Sequence, residues 1–176
     1  MSLTFRKADP SDVPSVLTLV ESAYRGDTSR KGWTTEADIF SGDRITAPGV
    51  LAKITDPCGA VLLGHDSAGA LVTCAEILRR DDGVVYFGMF AVDPERQGGG
   101  IGRQTLERAE AYAREEWNST LIEMSVIWFR DELIAWYVRR GYRKTKETKP
   151  FPYAEQLKNG GVLRDDLYFA VLDKEL

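Results

Sequence analysis

Residues 92–103 read Val92-Asp93-Pro94-Glu95-Arg96-Gln97-Gly98-Gly99-Gly100-Ile101-Gly102-Arg103 and join a predicted strand to a predicted helix. Four of the five residues from Gly98 to Gly102 are glycine, although each glycine costs about 0.5–1 kcal/mol of conformational entropy. Glycines let backbone N–H groups approach a ligand, and a helix N-terminus adds unpaired donors and a partial positive charge. The turn, flanked by Arg96 and Arg103, therefore favours a phosphate or pyrophosphate site over a tight turn without a ligand.

The glycine spacing excludes two other phosphate-binding motifs. A P-loop requires GxxxxGK[ST], and no lysine follows any of these glycines. The dinucleotide fingerprint requires GxGxxG, and its third glycine is missing whether the motif starts at Gly98 or at Gly100. The sequence supports neither ATP hydrolysis nor a Rossmann cofactor.

Outward from the turn, the sequence predicts strands separated by helices. Asp9 and Pro10 mark the start of a helix whose apolar face reaches Tyr24. The predicted strands are Leu3–Lys7, Ala60–His65, Ala70–Leu78, Val84–Val92, Thr120–Trp128 and Leu167–Leu172. The other predicted helices are Glu36–Phe40, Pro48–Thr55, Gly102–Trp117 and Asp131–Arg140, with loops at 25–35 and 150–164. This order predicts an α/β (α+β) mixed sheet covered by helices, in one domain over residues 1–176.

A second informative segment reads Arg130-Asp131-Glu132-Leu133-Ile134-Ala135-Trp136-Tyr137-Val138-Arg139-Arg140-Gly141-Tyr142. Its acidic start and basic end suit the helix dipole, and its apolar residues share one face. Gly141 is placed to end the helix, and Tyr142 to begin a strand.

Both segments resemble the GNAT acetyltransferase superfamily. The run from Gln97 to Gly102 matches its Q/R-x-x-G-x-G/A pyrophosphate loop, and Val92-Asp93-Pro94 matches the V-x-P that ends its central strand. The second segment is similar to the family's N-x-x-A-x-x-x-Y-x-x-x-G-F. Arg130 replaces the usual asparagine and Leu133 the usual small residue, which leaves open whether Arg130 binds a CoA phosphate or has a structural role.

The resemblance implies a GNAT-like fold, with a mostly antiparallel central sheet of six to seven strands flanked by helices. It implies acetyl-CoA as the co-substrate, entering where the strand that ends at Val92 diverges from the strand Thr120–Trp128. The pantetheine arm would bind main-chain groups of Phe90, Ala91 and Val92. The pyrophosphate would bind backbone amides of Gln97, Gly98, Gly99, Gly100, Ile101, Gly102 and Arg103.

Tyr137, four residues before Gly141, stands where the family has its conserved tyrosine and is the predicted catalytic residue. An amine that attacks the thioester expels CoA as a thiolate or thiol. A protonated phenol, with an ordinary pKa near 10, can protonate or stabilise that sulfur. From spacing alone, a core tyrosine is the alternative.

The acceptor amine must lose a proton, since a lysine-like amine has a pKa of about 10.4. Glu76 and Glu123 are candidate bases, and both also fit solvent-facing strand positions. Cys58 and Cys74 have no evident base partner, so direct transfer in a ternary complex is favoured over an acetyl-enzyme. The acceptor, a small-molecule or peptide amine, would be selected by residues 24–40 and 150–164.

Composition argues against several other classes. With 23 Lys plus Arg against 27 Asp plus Glu, the net charge of −4 argues against non-specific nucleic-acid binding. The sequence has no signal peptide and no apolar run of about 20 residues, so a cytoplasmic protein without a membrane partner is expected. One histidine and two distant cysteines predict no metal site, and both cysteines are expected to be buried free thiols.

Two other functions remain open beside an N-acetyltransferase. One is a CoA-binding regulatory module of the same fold without transferase activity, and the other is a mononucleotide-binding protein of another fold. Many relatives form dimers, which implies a homodimer, although no feature of the sequence fixes the oligomeric state.

Overall fold

The computed structural model describes residues 2–176 as seven strands, six α-helices and one short 3-10 helix, Pro10–Asp12. The strands are β1 (Thr4–Lys7), β2 (Gly59–His65), β3 (Leu71–Arg79), β4 (Val85–Val92), β5 (Leu121–Ile127), β6 (Arg143–Pro150) and β7 (Tyr168–Glu175). The helices are α1 (Val13–Tyr24), α2 (Gly26–Ser29), α3 (Ala47–Thr55), α4 (Ile101–Trp117), α5 (Asp131–Val138) and α6 (Tyr153–Asn159).

All seven strands form one sheet in the order β1-β2-β3-β4-β5-β7-β6. Among the strands described within residues 2–176, only β4 and β5 pair in parallel, and the other neighbours are antiparallel. A parallel pair needs a long crossover, which α4 supplies. The mixed, mostly antiparallel sheet flanked by helices is confirmed.

Helices cover both faces of the sheet. On one face, α4 and α5 pack on a core that includes Leu62, Ile77, Phe87, Ile122 and Met124. On the other face, α1 and α3 pack on Val61, Leu63 and Cys74 among others. The opposite placement of Leu62 and Leu63 is the two-residue alternation of a strand.

A bulge in β4 interrupts that alternation. Val85 and Phe87 face α4, but Met89 and Ala91 face α1. The register with β3 shifts between Cys74 and Glu76, and Met89 has a positive φ of 41°. A bulge bends and twists its strand, so β4 changes direction at this point.

β4 and β5 diverge after a short paired stretch. Val85 pairs with Ile122 and Tyr86 with Glu123, and within residues 2–176 the pairing stops there, although both strands continue. The expected gap between these strands is therefore present, and the bulge beside it gives a physical cause.

Three local predictions were wrong. Residues 36–40 form a turn instead of a helix, since Phe40 leaves it to bridge Val162 in an extended conformation. The predicted loops at 25–35 and 150–164 contain α2 and α6. Cys58 is exposed and only Cys74 is buried, both as free thiols.

No helix within residues 2–176 is both long and apolar enough to cross a membrane.

Candidate active site

A cavity of about 590 Å³ opens where the ends of β4, α4 and α5 meet. Tyr137 lines it, as do all the predicted cofactor-binding residues except Ala91 and Gly99. The predicted site residues, distant in sequence, are thus brought together. Their binding and catalytic roles stay predictions.

The glycine turn presents free N–H groups to this cavity. Gly98 and Gly100 have φ of 93° and 77°, the left-handed region that favours glycine. Gly100 is the N-cap of α4 and provides no side-chain cap, and the first helical hydrogen bond runs from Gln104 N to Gly100 O. The amides of Ile101, Gly102 and Arg103 therefore have no partner inside the helix and remain available to an anion.

Gly102 allows α4 to approach β4 and α5 closely. A Cβ at this position would lie 3.3 Å from the Phe90 ring and 3.4 Å from the Trp136 ring. These distances leave no room for a branched side chain. The glycine thus positions the helix N-terminus as well as exposing its backbone.

Three arginines form a cationic rim around the cavity: Arg103, Arg139 and Arg140. The Arg140 guanidinium lies 3.6 Å above the Trp136 ring and donates to the Trp136 carbonyl, while its buried Nε has no hydrogen-bond partner among residues 2–176. Burial and the nearby Arg139 and Arg103 lower the pKa of Arg140. A bound phosphate would relieve this repulsion. The residues present therefore fit a pyrophosphate group.

Arg96, by contrast, points elsewhere. Its guanidinium donates to Asp66 at 2.9 Å in the β2–β3 turn, and the residue does not line the cavity. The cationic role expected beside the turn therefore falls to Arg103 and the two arginines after α5. Arg139 and Arg140 were interpreted from sequence only as dipole-matching residues, so their position at the cavity was missed.

The edge of β4 that faces the gap is defined by its pairing with β3. Asp93 N–H donates to Val72 O on the β3 side, so antiparallel alternation turns the main-chain groups of Phe90 and Val92 towards β5. The main-chain groups of Ala91 instead point towards β3, and its carbonyl accepts a hydrogen bond from Thr73 Oγ1. Phe90 and Val92 are the positions suited to bind an extended pantetheine arm.

Tyr24, at the end of α1, was missed by sequence reasoning. It lines the cavity, and its hydroxyl donates to the Phe90 carbonyl. Burial raises the pKa of Tyr24 to about 12. The only sequence signal was its place at the end of an apolar helix face, which is also typical of a core residue.

Tyr137 is buried in α5 with its ring edge-on to Trp136 and Tyr142. Burial raises its pKa well above the usual value, with a smaller contribution from Tyr24. Its hydroxyl has no hydrogen-bond partner in the described part of the chain, and the residue lines the cavity. Tyr137 is therefore a protonated donor that is free to bond a ligand.

The side chain of Arg130 links the start of α5 to the segment that contains Thr34 and Glu36. Its Nη1 lies 3.2 Å from Glu36 Oε1, and its Nη2 donates to Thr34 O at 2.8 Å. Arg25 pairs with the other Glu36 oxygen at 2.7 Å. These buried bonds join α5 to the segment after α2, and Arg130 does not line the cavity.

The side chain of Gln97 holds the same segment to the pyrophosphate turn. Its Oε1 accepts from Trp33 N at 3.0 Å, and its Nε2 donates to Thr34 Oγ1 at 3.0 Å. Lys31 and Glu95 form an exposed ion pair beside this contact. The loop that covers one side of the cavity is thus attached at both α5 and the glycine turn.

Neither candidate base is free. Glu76 pairs with Lys53 at 2.7 Å, and Glu123 pairs with Arg80 at 2.9 Å and Lys149 at 2.6 Å. Burial acts to raise the pKa of Glu123, but the hydrogen bonds from Arg80 and Lys149 outweigh it and leave the pKa below its usual value. A carboxylate with a lowered pKa is a poor acceptor for an ammonium proton.

This geometry is suited to a protein that binds a pyrophosphate-bearing cofactor, because a glycine turn with free amides and a buried phenol line the same cavity. A family model described as the acetyltransferase (GNAT) family matches residues 30–142. Because the match spans more than half of the chain, the protein belongs to the GNAT acetyltransferase family. Its enzyme class is therefore that of the acetyl-CoA-dependent N-acetyltransferases. No curated protein sequence matches the chain.

Solved structures of acetyltransferases share the fold. An IAA acetyltransferase from Bacillus cereus is 17% identical, with a TM-score of 0.69 over 99% of this chain and 100% of its own. A spermidine N-acetyltransferase mutant from Vibrio cholerae is 16% identical, with a TM-score of 0.72 over 98% and 93%. The acetyltransferase yncA from Salmonella typhimurium, solved with its cofactor acetyl-CoA, is 17% identical, with a TM-score of 0.70 over 100% and 95%.

Proposed function

We propose that this protein transfers the acetyl group of acetyl-CoA directly to a primary amine in a ternary complex. The observation that carries the proposal is the single cavity that joins the free N–H groups of the glycine turn, the diverging β4 edge and the Tyr137 phenol. An amine acceptor agrees with neighbours such as the spermidine N-acetyltransferase.

Acetyl-CoA supplies the activated thioester when it is bound. The amides of Ile101, Gly102 and Arg103, with the Arg139 and Arg140 guanidinium groups, hold its pyrophosphate. The main chain of Phe90 and Val92 holds the pantetheine in the gap between β4 and β5. These contacts fix the thioester beside Tyr137, and such positioning lowers the entropic part of the barrier.

Tyr137 then acts on the leaving group. As the amine nitrogen bonds to the thioester carbon, the carbon–sulfur bond breaks and negative charge gathers on sulfur. Because burial raises the pKa of Tyr137, its phenol stays protonated at neutral pH and donates to that sulfur.

Glu123 does not act as the base that takes the proton from the amine. That carboxylate is held ionised by Arg80 and Lys149, so it has little affinity for a proton. We infer that the amine enters in its neutral form or loses its proton to water at the mouth of the gap. A rate that rises with pH towards the pKa of the amine is the expected consequence.

The test is CoA release from acetyl-CoA in the presence of an amine panel, followed with a thiol reagent. Tyr137→Phe should lower kcat about 100-fold or more, the scale of a lost general acid, while acetyl-CoA still raises the melting temperature. The matched control is Tyr112→Phe on α4, whose phenol lies outside the cavity, and it should keep full activity.

An unchanged kcat in Tyr137→Phe would contradict the catalytic role of the phenol. Tight acetyl-CoA binding by the wild type without turnover on any amine would instead indicate a CoA-binding regulatory module.

A further inference from the structure

A single carboxylate next to the cavity is surrounded by three guanidinium groups. Glu36 contacts Arg25 and Arg130 at 2.7 and 3.2 Å, and Arg44 Nε lies 3.8 Å from its Oε2. One negative charge therefore faces three positive charges. Glu21 lies nearby, and with it the cations still outnumber the carboxylates.

Arg44 differs from the two arginines that hold Glu36. The side chains of Arg25 and Arg130 are buried and form hydrogen bonds to Glu36. The Arg44 side chain is 37% exposed, and its guanidinium has no hydrogen-bond acceptor within residues 2–176. Only its backbone N–H is used, as a donor to Glu21 at 2.6 Å. Apart from the ion-pair contact of its Nε with Glu36 at 3.8 Å, the guanidinium of Arg44 is therefore available to a ligand.

Arg44 lies next to Tyr24, a residue that lines the cavity, although Arg44 itself does not line it. Its guanidinium lies 5.7 Å from the ring centre of Tyr24, the residue whose hydroxyl bonds Phe90 O at the gap. Arg44 is also close to Tyr86, on the α1 face of β4. Burial raises the pKa of Tyr86, and the positive charge of Arg44 partly offsets that rise. A group bound by Arg44 would therefore lie next to Tyr24, at the β4 edge where the proposed function places the pantetheine arm.

Three other cations on this face have carboxylate partners at hydrogen-bonding distance. Lys53 pairs with Glu76, whereas Arg80 and Lys149 share Glu123. Among these four cations, Arg44 is the one whose guanidinium forms no hydrogen bond to a carboxylate within residues 2–176. A polyamine, which brings several positive charges, would be repelled there, whereas a carboxylate would be attracted.

We propose that Arg44 binds a carboxylate of the acetyl acceptor, so that the substrate is an amino acid or another amine that carries an acid group. This inference rests on the proposed acetyl transfer. The guanidinium fork matches a carboxylate with two parallel N–H···O bonds, which would also orient the amine towards the thioester.

The experiment compares L-amino acids with their amides and with spermidine as acceptors. Wild type should prefer the free acids. Arg44→Met should lower kcat/KM for the acids roughly 10- to 100-fold, the scale of a hydrogen bond to a charged group, mainly through KM. The same variant should change kcat/KM for the amides less than about threefold. For the acids, kcat/KM of Arg44→Lys should lie between the values of wild type and Arg44→Met.

Arg143→Met is the matched control, since it removes the same side chain from the exposed edge of β6, where it pairs with Asp173. It should leave kcat/KM for the acids unchanged. A wild type that acetylates amides or spermidine as efficiently as acids would overturn the carboxylate proposal while establishing acetyl transfer. An equal loss of kcat/KM for acids and amides in Arg44→Met would also overturn the carboxylate proposal while establishing acetyl transfer.

A binding readout separates this inference from the proposed function. N-acetyl amino acids are titrated by calorimetry into the CoA-loaded protein, which needs no turnover. Binding by wild type that weakens at least tenfold in Arg44→Met supports the carboxylate site even if no amine is acetylated. Absence of binding, or equal binding by both proteins, overturns it.

Discussion

Replacing Glu36 with alanine should destabilise the protein strongly. The side chains of Arg25 and Arg130 are only 7% and 10% exposed, and both depend on this carboxylate. Removing one partner of a buried ion pair leaves uncompensated charge and costs about 3–5 kcal/mol. For a chain of this length that loss corresponds to roughly 6–20 °C in melting temperature.

Urea denaturation, followed by the fluorescence of the tryptophans, measures this loss. The control is Glu115→Ala, which breaks a solvent-exposed contact with Arg108 and should cost at most about 1 kcal/mol. The double variant Glu36→Ala/Arg130→Met should lose less free energy of unfolding than the sum of the two single variants, because it no longer buries the unpaired charge of Arg130. A Glu36→Ala variant as stable as the control would refute the reasoning.

The remaining predictions concern pH and the loop over the cavity. Burial and the contact with Glu110 raise the pKa of Tyr142, so above pH 10 the unfolded chain loses a proton that the folded chain keeps. The free energy of unfolding should then fall with pH. Tyr142→Phe should reduce that slope by about 0.7 kcal/mol per pH unit at pH 10, rising towards about 1.4 above pH 11. An unchanged slope at pH 10–11 would contradict it. Gln97→Ala removes the hydrogen bonds to Trp33 and Thr34. Trypsin should therefore cut after Lys31 several times faster than in wild type. An equal cleavage rate would show that Gln97 does not hold the loop that contains Trp33 and Thr34.

The parts of the fold that could be predicted from sequence depend on local chemistry. The glycine turn after Val92 was placed correctly because strand propensity, the glycine cluster and helical spacing change within a few residues. The Asp9 cap was placed correctly: Asp9 caps a 3-10 helix at Pro10–Asp12 that leads directly into α1, and Asp9 and Pro10 satisfy this start without help from distant residues. The bulge at Met89 was not predicted, since nothing in the sequence of β4 marks a positive φ at a methionine.

Other parts depend on contacts between distant segments. Helix α6 has mostly exposed or half-buried side chains, so it shows no apolar face in the sequence. The Glu36 cluster joins residues 25, 36 and 130, a pairing that no local pattern reveals. Likewise, Arg139 and Arg140 become part of the site only because α5 ends beside the first turn of α4.

The chain's own glycines provide the most direct test of the central claim that acetyl-CoA binds on the glycine turn. Gly100 and Gly83 both have φ near 80° and open space where a Cβ would lie, but Gly83 is in the β3–β4 turn outside the cavity. Changing each to aspartate therefore imposes similar backbone strain, and only Gly100→Asp places a negative charge at the pyrophosphate position.

The measurement is thermal unfolding of wild type and both variants with and without acetyl-CoA. At 100 times its dissociation constant, the cofactor should stabilise wild type and Gly83→Asp by about 2.7 kcal/mol, roughly 5–10 °C, and leave Gly100→Asp unchanged. A folded wild type that shows no shift at millimolar acetyl-CoA, or an equal shift in both variants, would contradict the account.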